Sequence, residues 1–158
     1  MNILRKIGIF VATGFGLGYS PVASGTVGTI PGVLFVWWAF PLLTLAQQIF
    51  IAIVLAVLAI PFCEIAERTF QKKDDGRIVA DEYMTFPLCM IGLPATVPWV
   101  LLMAFLTSRF FDIVKPPPAR GLQRIHGGFG IVIDDVFASL YSLLANHALF
   151  WAAKTWFI

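Results

Sequence analysis

The sequence predicts an all-α fold, a polytopic bundle of membrane helices, from its composition and from the placement of its charges. Hydrophobic residues make up 59% of the 158-residue chain and charged residues only 13%. The mean hydropathy is +0.85, far from the value of a soluble protein. Long uncharged stretches separate the few charged segments, and each is long enough to cross a bilayer as helix. We therefore treat residues 1–158 as one membrane-embedded domain.

Charge is confined to four places along the chain. Arg5 and Lys6 lie at the N-terminus, two clusters occupy 64–82 and 109–135, and Lys154 lies near the end. The uncharged stretches between them are 7–63, 83–108 and 136–153. The net charge of +2 is too small to indicate a nucleic-acid partner, so we interpret the basic residues as signals of membrane topology.

The first uncharged stretch has room for two helical spans, which we place at 27–45 and 48–66 with a turn near 44–48. The segment before them, 13–29, is rich in glycine and contains Pro21, so it is a poor helix. Backbone of this kind needs protein or water around it at membrane depth, and we expect a loop packed into the functional site. The last stretch predicts one span over 136–157.

Residues 83–108 have the length of one span, but three prolines and Gly92 interrupt them. Ten of the eleven basic residues lie at the N-terminus, in 68–77 and in 109–124. The positive-inside bias places all three groups in the cytoplasm, so 83–108 must enter the membrane and return to the same side. The predicted architecture is therefore about three full spans plus a broken re-entrant hairpin.

Three polar or sulfur-bearing residues in apolar sequence have structural interpretations. Cys63 and Cys89 lack CxxC or Cys/His spacing, and we predict buried free thiols. His147 follows Asn146 within the last span, where a hydrogen bond between helices is the expected role.

Two acidic pairs precede apolar stretches: Asp81-Glu82 and Asp134-Asp135. Mg²⁺ prefers carboxylate oxygens, keeps several waters and uses phosphate oxygens as further ligands, so two pairs that meet in space suit this ion. The alternative is that each pair only caps a helix and favours its N-terminal dipole.

A third group lies in the second charged cluster, where Arg109, Asp112 and Lys115 are spaced three apart and share one face of a helix. The two cations suit phosphate oxygens, and Asp112 could orient them, ligate a metal or act as a base. The alternative is an interfacial helix with snorkelling cations. Two roles remain open for His126: it is either a loop residue or a proton donor in the site. The glycines of 25–28 and 127–130 either bring backbone N–H groups to a phosphate or allow close helix packing.

Three blocks of the chain resemble the phosphatidylglycerophosphatase A family. They are GFGLGYSPVASGTVGT at 14–29, IVADEYMTFP at 78–87, and RFFDIVKPPP with GGFGIVIDDVFAS within 109–139. The resemblance implies a Mg²⁺-dependent membrane phosphatase that converts phosphatidylglycerophosphate to phosphatidylglycerol at the bacterial inner membrane. Two positions depart from the family pattern, Ser24 in place of Pro and Ser139 in place of Gly, and neither removes a candidate ligand.

The resemblance and the residue chemistry together give one set of expected roles. Asp81, Glu82, Asp134 and Asp135 are the candidate ligands of Mg²⁺, and Asp112, Asp81 and Asp135 are the candidate catalytic residues. The candidate substrate contacts are Gly25, Thr26, Gly28, Arg109, Lys115, His126, Gly127 and Gly128. Partners are the phospholipid substrate and the bilayer; a homo-oligomer is left open. Rival classes are a transporter that uses intramembrane carboxylates and a non-catalytic lipid-binding subunit.

Overall fold

The computed structural model describes residues 2–122 and 124–157, and its regular structure there is entirely helical, as predicted. Three short 3₁₀ turns, Leu17–Tyr19, Phe40–Leu42 and Phe86–Met90, accompany the α-helices. The α-helices of the described residues are α1 Ile3–Ala12, α2 Ser24–Gly28, α3 Ile30–Ala39, α4 Leu45–Phe70, α5 Ala80–Thr85, α6 Pro98–Val114, α7 Ala119–Leu122 and α8 Gly127–Phe157.

Within the described residues, three helical segments are long and apolar enough to cross a membrane, which confirms the predicted number of spans. They are Ser24–Leu42, Leu45–Phe70 and Gly127–Thr155. The first is built from α2, α3 and a 3₁₀ turn, so helix begins inside the glycine-rich segment that was predicted to be a loop. The boundary of the last span was also wrong, because α8 begins at Gly127 rather than at residue 136.

The early start of α8 has a local cause in its glycines and in a carboxylate of α4. Gly127 has a φ of +84°, and the N–H of Gly128 donates to the Glu64 carboxylate at 2.5 Å, which satisfies one free donor at the helix start. A Cβ on Gly128 would overlap the carbonyl of Ile60. Glycine therefore lets α8 lie directly against α4.

Small residues continue this contact along α4. Its buried positions are Ala52, Ala56, Ala59, Cys63 and Ala66, spaced four and three apart, so they form one seam on the helix. Small side chains let neighbouring backbones approach closely, which is how helices associate in membranes. Cys63 and Cys89 are both buried and free, as predicted.

Residues 83–108 turn back on themselves. The chain passes through α5 and a 3₁₀ turn, reverses over 91–97 and returns as α6. At the open end of the hairpin, Glu82 and Arg109 form an ion pair of 2.5 Å, so both charged clusters lie at the same end of the bundle. The hairpin path agrees with the prediction, and its depth in the bilayer stays a prediction.

Side chains of α8 and α4 satisfy the backbone at the tip of this hairpin. The Asn146 amide donates to the Cys89 carbonyl at 3.1 Å, and His147 Nε2 lies 2.9 Å from the Ile91 carbonyl. The Gly92 N–H donates to the Gln48 side chain at 3.0 Å. Non-helical backbone inside a membrane bundle needs such partners. His147 forms a hydrogen bond to another part of the chain, but its partner follows the 3₁₀ turn and does not lie in a second helix as predicted.

Candidate active site

A cavity of about 530 Å³ lies at the end of the bundle where the charged clusters meet. It is enclosed by α2, the 71–79 loop, α5, α6 and α8. Six carboxylates and two cations line it, which leaves four uncompensated negative charges when every group is ionised. The carboxylates are those of Asp74, Asp81, Glu82, Asp112, Asp134 and Asp135, and the cations are Arg109 and Lys115.

Arg109 is held between two carboxylates and a hydroxyl. Its guanidinium lies 2.5 Å from Glu82 Oε2 and 3.0 Å from Asp112 Oδ2, and it approaches Thr29 Oγ1 at 3.4 Å. The Thr29 hydroxyl also lies 3.0 Å from Glu82 Oε2. Burial raises the pKa of Glu82 to about 7, although Arg109 favours its ionised form. This network fixes the direction in which the guanidinium faces the cavity.

Lys115 joins α6 to α8. Its ammonium lies 2.5 Å from Asp134 Oδ2 and 3.7 Å from Asp112 Oδ1. Lys115 ends α6 with a φ of +46°, the left-handed conformation that closes many helices. Burial lowers its pKa, but the hydrogen bond and charge of Asp134 more than offset this, so the pKa is raised and the side chain stays cationic. The predicted shared face of Arg109, Asp112 and Lys115 is confirmed by these contacts.

Two carboxylate oxygens in the cavity are buried without a partner. Oδ1 of Asp81 and Oδ1 of Asp134 receive no hydrogen bond from the residues that the structure describes, and the two residues are only 6% and 3% exposed. Burial, and then the charges of Glu82 and Asp74, hold the pKa of Asp81 well above its usual range. Such groups are costly unless they are paired or bind a cation, so the site is suited to a positive ion.

The position of the second acidic pair excludes helix capping as its role. Because α8 begins at Gly127, Asp134 and Asp135 lie about two turns inside the helix, beyond the free N–H groups. The capping alternative is wrong for this pair. Asp135 is 5% exposed and lines the cavity, and within 2–122 and 124–157 no hydrogen bond or ion pair engages it.

The donor set fits a hydrated divalent ion rather than a closed metal cage. In the described part of the chain no three His, Cys, Asp or Glu residues converge on a common point as metal ligands. Mg²⁺ does not need such a cage, because one or two carboxylates, waters and substrate phosphate oxygens complete its shell. The unpartnered oxygens of Asp81 and Asp134 provide two carboxylate ligands of this type.

Comparison with known proteins identifies the family. The sequence model of the family described as "Phosphatidylglycerophosphatase A" matches residues 10–150. The chain belongs to the phosphatidylglycerophosphatase A family. A family member from Haemophilus influenzae is 31% identical over 94% of this chain and 94% of its own length. One from Escherichia coli is 32% identical over 84% of this chain and 77% of its own length.

A third relative has a different name. A protein of Bacteroides thetaiotaomicron named "Putative phosphatidylinositol-3-phosphatase" is 30% identical over 90% of this chain and 93% of its own length. No solved structure matches the chain. All three names are those of lipid phosphatases, so this member of the family is a membrane lipid phosphatase, and the transporter interpretation is not favoured.

The phosphatidylglycerophosphatase A motif residues are distributed unevenly around the cavity. Gly25 and Thr26 line it, and a Cβ on Gly25 would overlap Glu82 Oε1. Gly28 instead packs against the side chain of Val79. In the first glycine block, therefore, Gly25 borders the cavity and Gly28 allows close packing.

The second glycine block lies away from the cavity lining. Gly127 and Gly128 lie against Glu64, and the exposed His126 is not among the residues that enclose the cavity. The structure gives these glycines the packing role that the sequence left as an alternative. Their predicted contact with substrate, and that of His126, has no support in this geometry.

Sequence reasoning missed Asp74 and Ser24 as residues of the cavity lining. Asp74 has a φ of +48° and lies in a turn that the charge cluster alone did not reveal. The Ser24 hydroxyl donates to the Gly76 carbonyl at 2.6 Å, so this departure from the family pattern ties α2 to the loop that carries Asp74. The other departure, Ser139, is 4% exposed and its hydroxyl lies 3.4 Å from that of Thr85.

Proposed function

We propose that this chain hydrolyses the terminal phosphomonoester of phosphatidylglycerophosphate, with Mg²⁺, at the cytoplasmic face of the bacterial inner membrane. The observation that carries the proposal is one cavity that holds two fixed cations and two buried carboxylates, each with one oxygen that has no partner among the described residues. The family and two of the relatives are named for this substrate. The third relative is named for another phosphorylated lipid, so the headgroup is the part that needs testing.

The acidic lining supports the proposed requirement for a divalent cation. A phosphomonoester carries up to two negative charges, and a lining with six carboxylates and two cations would repel it. Asp81 and Asp134 would hold Mg²⁺ through their unpartnered oxygens. A bound Mg²⁺ supplies charge neutralisation and Lewis-acid polarisation of the phosphate.

The chain's own cations provide the rest of the phosphate site. Arg109 presents a planar fork of donors to two phosphate oxygens, and Glu82 and Thr29 set its direction. Lys115 contributes a point charge from the C-terminal end of the same helix, held by Asp112 and Asp134. Phosphoryl transfer depends chiefly on positioning and charge stabilisation, and these residues can provide both.

Asp135 is suited to accept the proton of the attacking water. Its carboxylate lines the cavity, and the described residues give it no competing donor. The water oxygen bonds to phosphorus as the bond from phosphorus to the glycerol oxygen breaks. The glycerol oxygen then takes a proton from solvent, and the products are phosphatidylglycerol and inorganic phosphate.

The cytoplasmic orientation rests on charge. Segments 68–77 and 109–124, at the cavity end of the bundle, carry eight of the eleven Lys and Arg residues, and Arg5 approaches Thr69 at 2.8 Å near the same end. Basic loops stay on the cytoplasmic side of bacterial membranes.

Phosphate release from phosphatidylglycerophosphate by purified protein in neutral detergent tests the proposal. We expect release with Mg²⁺, none with excess chelator, and loss of at least about 100-fold in Asp135→Asn, because general-base catalysis contributes on this scale. Glu67→Gln is the matched control, a carboxyl-to-amide change outside the cavity lining. Folded wild type that releases no phosphate, or full release in chelator, would overturn the proposal.

A further inference from the structure

A second cavity of about 460 Å³ adjoins the candidate active site. Lys73, Asp74, Arg120 and Arg124 line it. Asp74 also lines the acidic cavity, so the two cavities share this residue as a common wall. The second cavity is basic, with three cations to one carboxylate, whereas the first is strongly acidic.

The cations of this cavity differ from the others of the two charged loops. Eight Lys and Arg residues lie between 68 and 124, and five of them form ion pairs with carboxylates. Among the described residues, the three that form none are the three that line the second cavity: Lys73, Arg120 and Arg124. Their charge is therefore available to an anion from outside the chain.

The cavity is built on an ordered backbone. The Lys73 ammonium donates to the Arg124 carbonyl at 3.0 Å, which joins the 71–79 loop to the segment after α7. The Tyr141 hydroxyl of α8 donates to the Pro117 carbonyl at 2.5 Å, and Ala119 at the start of α7 is fully buried. These contacts hold the backbone that carries Arg120 beside the acidic cavity.

We propose that this basic cavity binds the phosphodiester group of the lipid headgroup while the terminal phosphomonoester occupies the acidic cavity. The inference rests on the proposed function. Phosphatidylglycerophosphate carries both groups, separated by a single glycerol, and the two cavities are separated by a single residue. The phosphodiester keeps one negative charge and needs no metal, which suits guanidinium donors.

Selectivity follows from this arrangement. A lipid whose only phosphate is a monoester has nothing to place between Arg120 and Arg124, so it forgoes that part of the binding energy. The cavity thus favours headgroups with a second phosphate one short linker from the scissile one. Free inorganic phosphate is the other source of the same chemistry, and the experiment separates the two.

The test is the kinetics of phosphatidylglycerophosphate hydrolysis in neutral mixed micelles, for wild type, Arg120→Gln, Arg124→Gln and the double variant. Lys6→Gln is the control, since it removes one exposed charge outside both cavities. We expect KM to rise about tenfold in each single variant and further in the double variant, with kcat within about twofold. A retained kcat also shows that the variants are folded. Inhibition by the deacylated headgroup, which carries both phosphates, should weaken in parallel, whereas inhibition by inorganic phosphate should not change.

Three results would overturn the assignment. Unchanged KM in the double variant would remove the cavity from substrate binding. A change in inhibition by inorganic phosphate alone would assign the cavity to the free ion. An equal effect of Lys6→Gln would show that only general attraction to an anionic surface had been lost. Wild type without activity would instead overturn the proposed function, and this assignment with it.

Discussion

The buried carboxylates of the candidate active site have two different roles. Glu82 and Asp112 form ion pairs with Arg109. One oxygen of Asp134 binds Lys115, and its other oxygen has no partner among the described residues. Residues whose carboxylates are occupied orient cations, and those with unpartnered oxygens are free to bind an ion. The two functions could not be distinguished in the sequence, where all these residues are simply acidic.

Replacing Arg109 by Gln tests the phosphate-binding role at the residue scale. We expect kcat/KM for phosphatidylglycerophosphate to fall by about 100-fold or more, because one preorganised donor to the developing charge contributes on that scale. Arg68→Gln removes a cation that is paired with Glu64 and 78% exposed, and it should leave the rate within about twofold. Steady-state phosphate release measures both variants. An unchanged rate in Arg109→Gln would contradict the phosphate-binding role of Arg109.

Helix packing depends on a few small residues at the element scale. Gly128 lets α8 contact the backbone of α4 at Ile60. This contact fixes the position of α8, and with it the position of Asp134 and Asp135. The loop of residues 71–79 is held separately, by Asp75 and by the bond from the Val79 N–H to the Ala12 carbonyl at 2.9 Å. The site is thus positioned by contacts outside it.

Gly128→Ala should destabilise the folded protein by about 1–3 kcal/mol, the range for overpacking, since the added Cβ meets backbone that cannot move aside. Gly121→Ala is the matched control, because a Cβ there meets nothing within 4 Å. Thermal unfolding in detergent measures both, and equal midpoints for the two variants would show that α4 and α8 do not pack as described.

Asp75 should make stability depend on pH. Its carboxylate accepts from the Arg77 side chain at 2.8 and 3.1 Å, and these bonds lower the pKa of Asp75 to about 2. An acid with a lowered pKa stabilises the fold above its unfolded-state pKa of about 3.9, and this contribution is lost as pH falls towards 2. The unfolding midpoint of Asp75→Asn should therefore lie below that of wild type at pH 6, with a difference that shrinks below about pH 4. A difference independent of pH would contradict the ion pair.

The whole molecule places two separated charge clusters at one end of a bundle. Composition and charge spacing were sufficient to predict the all-α class, three spans and the reversal within 83–108, because long uncharged stretches admit few other structures in a membrane. The start of α8 and the contribution of Asp74 were missed. Both depend on tertiary contacts, Gly128 with Ile60 and Ser24 with Gly76, that leave no local pattern.

Cysteine accessibility tests the arrangement of the whole chain in the membrane. Lys72→Cys and Gly121→Cys lie in the segments that follow α4 and α6, and Ala46→Cys lies in the first turn of α4, at the other end of that helix. The two loop positions should react with an impermeant thiol reagent from the cytoplasmic side and position 46 from the opposite side. The native thiols are buried and give little background. Labelling of positions 72 and 121 from opposite sides would contradict the re-entrant hairpin.

The central claim is that Asp81 and Asp134, from different elements, hold one divalent cation, and direct binding of Mn²⁺ in place of Mg²⁺ tests it without reference to activity. Electron paramagnetic resonance of the purified protein should show bound Mn²⁺ in wild type and in Glu67→Gln. Asp81→Asn and Asp134→Asn should each weaken its binding at least about tenfold, since each removes one charged ligand. Wild-type affinity in either variant would contradict the shared cation site.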